Sequence, residues 1–419
     1  MAEKKLMALD IGSSWVRAVI GSVSRDGQLM VDTVCERPSE GVIHGKIVNI
    51  EQCLRTISSV VQESELQAGA EVDSVIFGVG GSQIETYNSE GVVGITGKDL
   101  EITRDDIYRS LEVAKAFNLP ADKEILHTLV QDFCVDGKEG IKDPINMLGH
   151  RLETKVLIVT GQSDVIQTDR KTLIRAGFDS QRVILQSLAD AQVVLSSEEK
   201  EVGTVLVNIG SQVTNMIAYS NGSPCYAGGI DLGSNDVTND IAYILGKSHA
   251  VAESVKCGSG CCYIPSIAPN DMVVIPQVQG LRAISMPKKE LCKIIEPRMA
   301  EIFSFLKNDL DKCCPQSQFA GGVVLVGGGA LLSGVSELAS EIFRLQPRIG
   351  FPEALHGLDR SYIDPKYTTV LGLLQNEASR FLSAAVGKKS VRSSGNEWKQ
   401  SSSENIFKKI SRFFRTVAK

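Results

Sequence analysis

The chain has 419 residues, of which 22% are charged and 5% aromatic, and its formal net charge is −6. This is the composition of a soluble globular protein with room for two to four lobes. The charge is uneven, because from Lys388 onward nine basic residues stand against two acidic ones, so this end carries +7 and the preceding body −13. The acidic body disfavours general nucleic-acid binding, and the basic end predicts one basic contact surface.

The first residues, MAEKK, differ from a signal peptide, and no apolar run approaches the length of a membrane-spanning helix. Ten cysteines occur singly or as adjacent pairs, without a C-x-x-C pair. These features predict a cytoplasmic protein with reduced thiols. A zinc site around residues 257–262 is the less favoured alternative.

The first predicted element is a β-hairpin at residues 6–21, LMALDIGSSWVRAVIG, in which two apolar runs flank a polar turn. Gly12 lets the backbone approach a ligand, and the turn amides with the Ser13 and Ser14 hydroxyls can donate to phosphate oxygens. Asp10, at the end of a buried strand, is placed to hold Mg²⁺ through its water shell. The alternative is an ordinary hairpin with a solvated aspartate.

Hydrophobic periodicity and capping residues predict the following elements. In chain order they are strand 27–34, helix 50–64, strand 74–79, helix 105–118, strand 124–130, strand 154–160, helix 164–176, helix 183–196, hairpin 203–219, helix 235–245, helix 288–312 with a kink at Pro297, strand 322–326, helix 335–345 and helix 368–382. Residues 85–160 are predicted to form an insertion with its own small α/β core. The strand 154–160 and the helix after it are expected to return to the main fold, and helix 183–196 to cross out of the first lobe.

A second hairpin, VLVNIGSQVTNMIAY, carries an Asn-Ile-Gly bend where the first carries Asp-Ile-Gly. Later in the chain a buried strand leads into three glycines, 327–329, and then a helix, which is a generic nucleotide-facing arrangement. Two such bends half a chain apart predict two homologous lobes that clasp one nucleotide. Each lobe then supplies one phosphate-binding turn, and the glycine turn supplies the adenosine side.

The end of the chain is predicted to be a polar, Ser-rich linker followed by an amphipathic helix, ENIFKKISRFFRTVAK. At ~100° per residue its apolar side chains share an arc of roughly 120°, and its basic side chains lie opposite. The apolar positions are Ile406, Phe407, Ile410, Phe413, Phe414 and Val417, and the basic ones are Lys408, Lys409, Arg412, Arg415 and Lys419. This pattern is typical of a helix in an anionic membrane interface, with docking on another protein or an expression tail as alternatives.

Several motifs together resemble the FtsA family of actin-like bacterial cell-division proteins, within the actin/Hsp70/hexokinase superfamily. They are Gln131 with 136–144 (DGKEGIKDP), 237–242 (VTNDIA), 253–256 (ESVK), 295–298 (IEPR) and 324–330 (VLVGGGA), completed by the C-terminal amphipathic helix. The resemblance covers nearly the whole length of the chain.

The resemblance implies an α/β actin-like ATPase fold of two lobes with an FtsA-type inserted subdomain. The implied parts are lobe 1 core 1–84, inserted subdomain 85–160, lobe 1 core and connecting helix 161–202, lobe 2 core 203–234, lobe 2 small subdomain 235–304, lobe 2 core 305–365, closing helix 366–386, linker 387–403 and membrane-targeting helix 404–419.

The resemblance also implies a site for ATP and Mg²⁺. Its residues are Asp10, Gly12, Ser13, Ser14, Asn208, Gly210, Ser211, Glu253, Lys256, Gly327 and Gly328. The first turn would meet the β- and γ-phosphates, with Asp10 near the Mg²⁺. Glu253 and Lys256 would reach the ribose and adenine, although an i,i+3 salt bridge explains this pair equally well. Gly327 and Gly328 would pass under the adenine.

The second hairpin departs from the family pattern, which usually reads Asp-Ile-Gly-Gly-Gly-Thr-x-Asp. Here both carboxylates are amides, Asn208 and Asn215, and neither can act as a general base. Gln212 and Val213 add side chains where close backbone approach to phosphate is expected, and Trp15 replaces a frequent lysine. We therefore expect weakened nucleotide binding, with hydrolysis very slow or absent.

By the same resemblance, the chain would polymerise on the cytoplasmic face of the membrane at the division site and anchor the FtsZ ring. Arg298 and Glu301 match the region that binds the FtsZ C-terminal peptide, and a solvated helix face is their simpler interpretation. The insertion would make filament contacts and receive late division proteins. One alternative is a PilM-type pilus-assembly ATPase, which is not expected to carry this tail. The other is a small-molecule kinase, which would need a catalytic aspartate.

Overall fold

A computed structural model describes residues 4–24, 28–97, 99–276, 283–315 and 318–392. The strands are β1 (Lys4–Ile11), β2 (Trp15–Val23), β3 (Leu29–Pro38), β4 (Val42–Ile43), β5 (Lys46–Ile47), β6 (Ser74–Val79), β7 (Ile84–Gly94), β8 (Lys123–Val135), β9 (Lys138–Ile141), β10 (Arg151–Gln162), β11 (Ser180–Leu185), β12 (Thr204–Ile209), β13 (Thr214–Ser220), β14 (Ser223–Ile230), β15 (Met272–Ile275), β16 (Ile284–Pro287), β17 (Val323–Val326) and β18 (Pro347–Ile349). The helices are α1 (Ile50–Ala68), α2 (Arg104–Lys115), α3 (Ser163–Arg175), α4 (Gln186–Val194), α5 (Ser197–Val202), α6 (Ser234–Leu245), α7 (His249–Ser259), α8 (Lys288–Cys313), α9 (Val335–Phe343) and α10 (Thr368–Arg392).

Two five-stranded sheets have the same topology. Their strand orders are β3-β2-β1-β6-β11 and β14-β13-β12-β17-β18. In each sheet a hairpin supplies two antiparallel strands, and the first of these also pairs in parallel with a strand from later in the chain. Both predicted hairpins are therefore confirmed, and they occupy equivalent places in two similarly built lobes.

The hydrophobic core runs from one lobe into the other. Met7, Leu9 and Phe77 of the first sheet belong to the same buried cluster as Leu206 and Val324 of the second. Helix α4 contributes buried alanine and valine side chains to this cluster. It therefore lies where it can carry polar side chains to the junction of the lobes.

Residues 84–162 contain a separate four-stranded sheet of order β7-β10-β8-β9, covered by α2. Thr103 caps α2, with reciprocal hydrogen bonds between Thr103 and Asp106. The strand predicted at 154–160 was expected to return to the main fold, and this was wrong. It is the middle of β10, which pairs on both sides within the inserted sheet.

The predicted helix 183–196 is also wrong in its first turn. Val183 and Leu185 belong to β11, which pairs in parallel with β6, and the helix begins at Gln186. A short apolar run fits both helix and strand periodicity, and here the free edge of β6 decides the outcome.

The long helix α8 contains Pro297 and buries a stripe of large apolar side chains, including Ile295, Phe303 and Leu310. Helix α10 continues to Arg392, past the start of the linker predicted at 387. The rest of that linker and the predicted amphipathic helix 404–419 lie outside the described residues. None of the described helices is long and apolar enough to cross a membrane.

Candidate functional site

The turns of the two hairpins meet at a cleft between the lobes. The Ser14 hydroxyl donates to the Ser211 hydroxyl at 2.6 Å, which joins the two turns directly. The cleft has a volume of about 680 Å³, within the usual range of small-molecule sites. All the residues predicted to surround a nucleotide line it: Asp10, Gly12, Ser13, Ser14, Asn208, Gly210, Ser211, Glu253, Lys256, Gly327 and Gly328. The geometry brings them together, and their contact with a nucleotide stays a prediction.

Gly12 and Gly210 occupy the same position in the two turns. The Gly12 amide donates to the Trp15 carbonyl at 3.0 Å, and the Gly210 amide to the Val213 carbonyl at 2.9 Å. A Cβ atom at these glycines would lie only 2.8 and 2.7 Å, respectively, from those carbonyl oxygens. The sequence analysis explains Gly12 by the close approach of a ligand. In the structure, the closed turn by itself leaves no room for a side chain at this position, so the turn already requires glycine.

Asp10 is buried at the end of β1 and has two polar partners. The Arg17 guanidinium, on the neighbouring strand, lies 3.8 Å from its carboxylate, and the Gln186 side-chain amide donates to it at 3.1 Å. Burial raises the pKa of Asp10, and these two partners oppose the rise. The sequence analysis identified neither partner. Gln186 in particular is 176 residues away from Asp10 in the chain.

Asp190 is a second buried carboxylate, bonded to the cleft residue Asn208, and the sequence analysis missed it. The Asn208 side-chain amide donates to it at 2.7 Å, and the hydroxyls of Thr368 and Thr369 donate at 2.7 and 2.8 Å. Burial raises its pKa to about 6 against the effect of these three hydrogen bonds, and the nearby charge of Asp10 adds to the rise. The sequence feature that could have identified Asp190 is a single acidic residue within a mostly apolar helix.

Asn215 replaces the second family carboxylate and completes a chain of amides along the cleft. It donates to the Gln186 side-chain oxygen at 3.0 Å and accepts from the Gly81 amide at 2.7 Å. Gln186 thus links Asn215 to Asp10, which fixes the orientation of both amides.

Gln212 was expected to add a side chain where phosphate should approach. Its side-chain oxygen instead accepts from the backbone amide of His44 at 2.9 Å. The His44 ring nitrogen Nδ1 lies 3.1 Å from the Gln212 carbonyl oxygen. The turn of the second hairpin is therefore hydrogen-bonded directly to the opposite lobe through Gln212.

Glu253 and Lys256 form the expected i,i+3 ion pair on α7, at 2.8 Å. The buried Lys256 ammonium also donates to the Thr238 hydroxyl at 2.8 Å and to the Ser234 carbonyl at 2.9 Å. Burial raises the pKa of Glu253, but the hydrogen bonds from Lys256 and Thr238 outweigh it, so the pKa is lowered. This wall of the cleft therefore holds a fixed charge pair.

The glycine turn after β17 closes the cleft beside Asn208. Gly327 has φ +83°, and a Cβ there would lie 2.4 Å from the Asn208 side-chain oxygen. A Cβ on Gly328 would meet nothing within 4 Å, so that face of the backbone is open. The helix predicted at 335–345 is confirmed as α9, which begins at Val335 after a short 3₁₀ turn at Gly328–Leu331.

Arg298 and Glu301 lie on α8, away from the cleft lining. Arg298 forms a bidentate ion pair with Asp240 of α6 at 2.7 and 3.1 Å, and a further one with Glu301 at 2.5 Å. Hydrogen bonding to Asp240 raises the pKa of the Arg298 guanidinium. The two residues thus belong to one surface charge cluster that joins α6 and α8.

Comparison with solved structures bears on the fold. The chain is similar to the structure "PilM-PilN type IV pilus biogenesis complex", with TM-score 0.62, 15% identity and coverage of 89% of this chain and 98% of the other. It is also similar to "MreB5 of Spiroplasma citri bound to ADP", with TM-score 0.55, 13% identity and coverage of 93% and 99%. At these identities the likeness concerns the fold alone, and it confirms the predicted actin-like α/β architecture.

Comparison with sequences bears on the family. The family model "Cell division protein FtsA" matches residues 205–372, and the model "SHS2 domain inserted in FTSA" matches residues 81–160. The cell division protein FtsA of Borreliella burgdorferi is 39% identical over 385 residues, which cover 91% of this chain and 93% of that protein. The chain therefore belongs to the FtsA family of actin-like cell-division proteins.

Proposed function

We propose that the chain binds ATP with Mg²⁺ in the cleft with little or no hydrolysis, assembles into filaments on the cytoplasmic face of the membrane, and anchors the FtsZ ring there. The observation that carries the nucleotide part is that all eleven predicted residues, from distant parts of the chain, line one cleft. Family membership supports the role in cell division.

The residues of the cleft fit a nucleotide. The hydroxyls of Ser14 and Ser211 lie at the point where the two turns meet and would exchange their mutual hydrogen bond for phosphate oxygens. The open face of Gly328 leaves room for a base. Asp10 and the Asn208 oxygen would face the water shell of Mg²⁺, which, when bound, neutralises phosphate charge.

A side chain that accepts a proton from the attacking water would speed hydrolysis. The amides of Asn208, Asn215 and Gln186 cannot do this. Asp190 is fully buried, and its oxygens already accept three hydrogen bonds. Asp10 is 7% exposed and held by Arg17 and Gln186. The side chains near the two turns thus favour binding over turnover.

ATP affinity and phosphate release, measured on one preparation, test this. We expect saturable Mg²⁺-ATP binding, phosphate release at the background rate, and binding at least about tenfold weaker in Asp10→Ala, equivalent to ~1.4 kcal/mol. Asp32→Ala is the matched control, because Asp32 also lies on a strand of lobe 1 and pairs with Lys5 at 3.1 Å. Rapid phosphate release that Asp10→Ala abolishes would contradict the lack of turnover, and no ATP binding would overturn the nucleotide site.

Binding of an FtsZ C-terminal peptide tests the second part. Arg298→Glu would place a third carboxylate beside Asp240 and Glu301, and we expect at least about tenfold weaker binding. Lys307→Glu is the control, because it reverses a charge on the same helix about 13 Å farther along. Unchanged binding in Arg298→Glu would exclude this surface.

Membrane attachment is proposed for the amphipathic helix. Phe413→Glu with Phe414→Glu should release the protein from anionic liposomes, because two carboxylates would enter the apolar face. Co-sedimentation that does not change would contradict this assignment.

A further inference from the structure

Asp190 lies directly behind Asn208, on the side away from the cleft. It is fully buried on α4 and accepts hydrogen bonds from Asn208 on β12 and from Thr368 and Thr369 at the start of α10. Three elements that are far apart in the chain therefore meet at one carboxylate. Asp10 of the first hairpin differs, since its cation partner is Arg17 of its own β-strand pair and its second partner is Gln186 of α4.

The network around Asp190 fixes which end of the Asn208 amide faces it. A carboxylate only accepts hydrogen bonds, so Asn208 must present its NH₂ group. The Thr369 hydroxyl donates its single proton to Asp190, and it can therefore only accept from Asn208, at 3.0 Å. Both protons of the NH₂ group are thus used by Asp190 and Thr369.

The remaining atom of the Asn208 amide is its oxygen, which points toward the cleft. It lies next to Gly327, where a Cβ would come within 2.4 Å of it. Within the part of the chain that the structure describes, it accepts no hydrogen bond, and Asn208 lines the cleft wall. An acceptor at this point can receive a proton from a water molecule of a hydrated cation.

We propose that Asp190 is a positioning residue that turns the Asn208 carboxamide oxygen toward the hydrated Mg²⁺ of a bound nucleotide. The carboxylate of Asp190 also supplies, from behind, the negative charge that Asn208 itself lacks. This inference rests on the proposed nucleotide site and adds a residue to it. The competing interpretation is a purely structural tie between α4, β12 and α10.

Exchange of the acid and the amide between the two positions separates these interpretations. Asp190→Asn offers Asn208 an amide that can accept or donate, so the Asn208 side chain can turn over. Asn208→Asp places two buried carboxylates side by side, which is unfavourable. The double variant Asp190→Asn with Asn208→Asp restores one acid and one amide, now with the acid facing the cleft.

The measurement is the affinity for ATP with Mg²⁺ and with EDTA, together with thermal unfolding of the nucleotide-free protein. We expect Asp190→Asn to reduce the Mg²⁺-dependent gain in affinity at least about tenfold, and the double variant to recover it to within about threefold of wild type. Thr369→Val, which keeps the side-chain shape but removes the acceptor, should reduce the gain a few-fold. Asp169→Asn is the control, because Asp169 is also a buried aspartate of lobe 1, whereas the Asn208 amide donates to Asp190.

The outcomes distinguish the inference from the proposed function. Wild-type protein that binds no ATP would overturn both. Wild-type protein that binds ATP, with the same Mg²⁺-dependent gain in Asp190→Asn and Thr369→Val but a lower unfolding temperature, would overturn the inference alone and leave Asp190 as a structural tie. A double variant that binds no better than Asn208→Asp would also overturn it.

Discussion

The two hairpins have the same topology but differ in the charged groups that they contain. Asp10 and Asn208 both stand two residues before the turn glycine, and each has a cross-strand partner in register: Arg17 for Asp10 and Asn215 for Asn208. The first hairpin therefore holds an ion pair within its own two strands. The second holds two neutral amides, with Asp190 behind them on another element.

This difference shows that the same hairpin topology can carry two different arrangements of charged and neutral side chains. Two carboxylates directly opposite each other on neighbouring strands repel, and a pair of amides removes that repulsion. The NH₂ groups of both amides in the second hairpin are also engaged, because Asn208 donates to Asp190 and Asn215 donates to Gln186. The motif alone indicates a loss of acids, whereas the structure shows that one acid lies behind the hairpin.

Removal of the cation from the first hairpin should have the largest effect. Arg17→Met would leave Asp10 and Glu36 without the guanidinium, whose Nε atom lies 3.0 Å from the Glu36 carboxylate. The Arg17 side chain is 13% exposed, so solvent compensates little. We expect a loss of about 3 kcal/mol in the free energy of unfolding, measured with urea.

Arg37→Met is the control for this change. Arg37 lies on β3 and pairs with Glu63 at 2.5 Å, but its side chain is 44% exposed. An exposed pair contributes about 0–1 kcal/mol. Equal losses in the two variants would mean that the Asp10 pair is no more than a surface ion pair.

The contrast between the hairpins also explains what the sequence could predict. Both hairpins, their turns and the glycine turn follow from patterns within about fifteen residues, so periodicity and composition located them. Gln186 and Asp190 lie within a run that fitted one continuous helix. Their roles depend on a free strand edge and on partners from 18 to 179 residues away, which no local pattern contains.

A smaller effect is expected in the pH dependence of stability, and it should belong to the second hairpin. The pKa of Asp190 is raised from 3.8 to about 6, so the folded protein binds more protons than the unfolded chain between these values. The contribution of Asp190 is therefore fully present below about pH 4 and is lost as the pH rises through 6. The slope is at most about 1.4 kcal/mol per pH unit for one group.

Asp190→Asn should flatten this part of the stability curve, measured by urea unfolding at intervals from pH 4 to 8. The slope is the readout, because the variant also changes three hydrogen bonds and therefore its absolute stability. Asp169→Asn should flatten the curve up to a higher pH, about 7, since burial raises the pKa of Asp169 to about 7. If the slope of the free energy of unfolding against pH below pH 6 is the same in Asp190→Asn and wild type, the titrating group is not Asp190.

The smallest effects should come from the hydrogen bond that joins the two turns. The hydrogen bond between Ser14 and Ser211 is exposed, so Ser14→Ala and Ser211→Ala should each change the free energy of unfolding by less than about 0.5 kcal/mol. Each variant loses one hydroxyl donor to phosphate, and we expect ATP affinity to fall about two- to fivefold in both. Ser304→Ala is the control, because its hydroxyl donates to a helix carbonyl at 2.6 Å on α8. If only Ser14→Ala weakens ATP binding, the second turn does not contact phosphate, and the two hairpins differ in function as well as in charge.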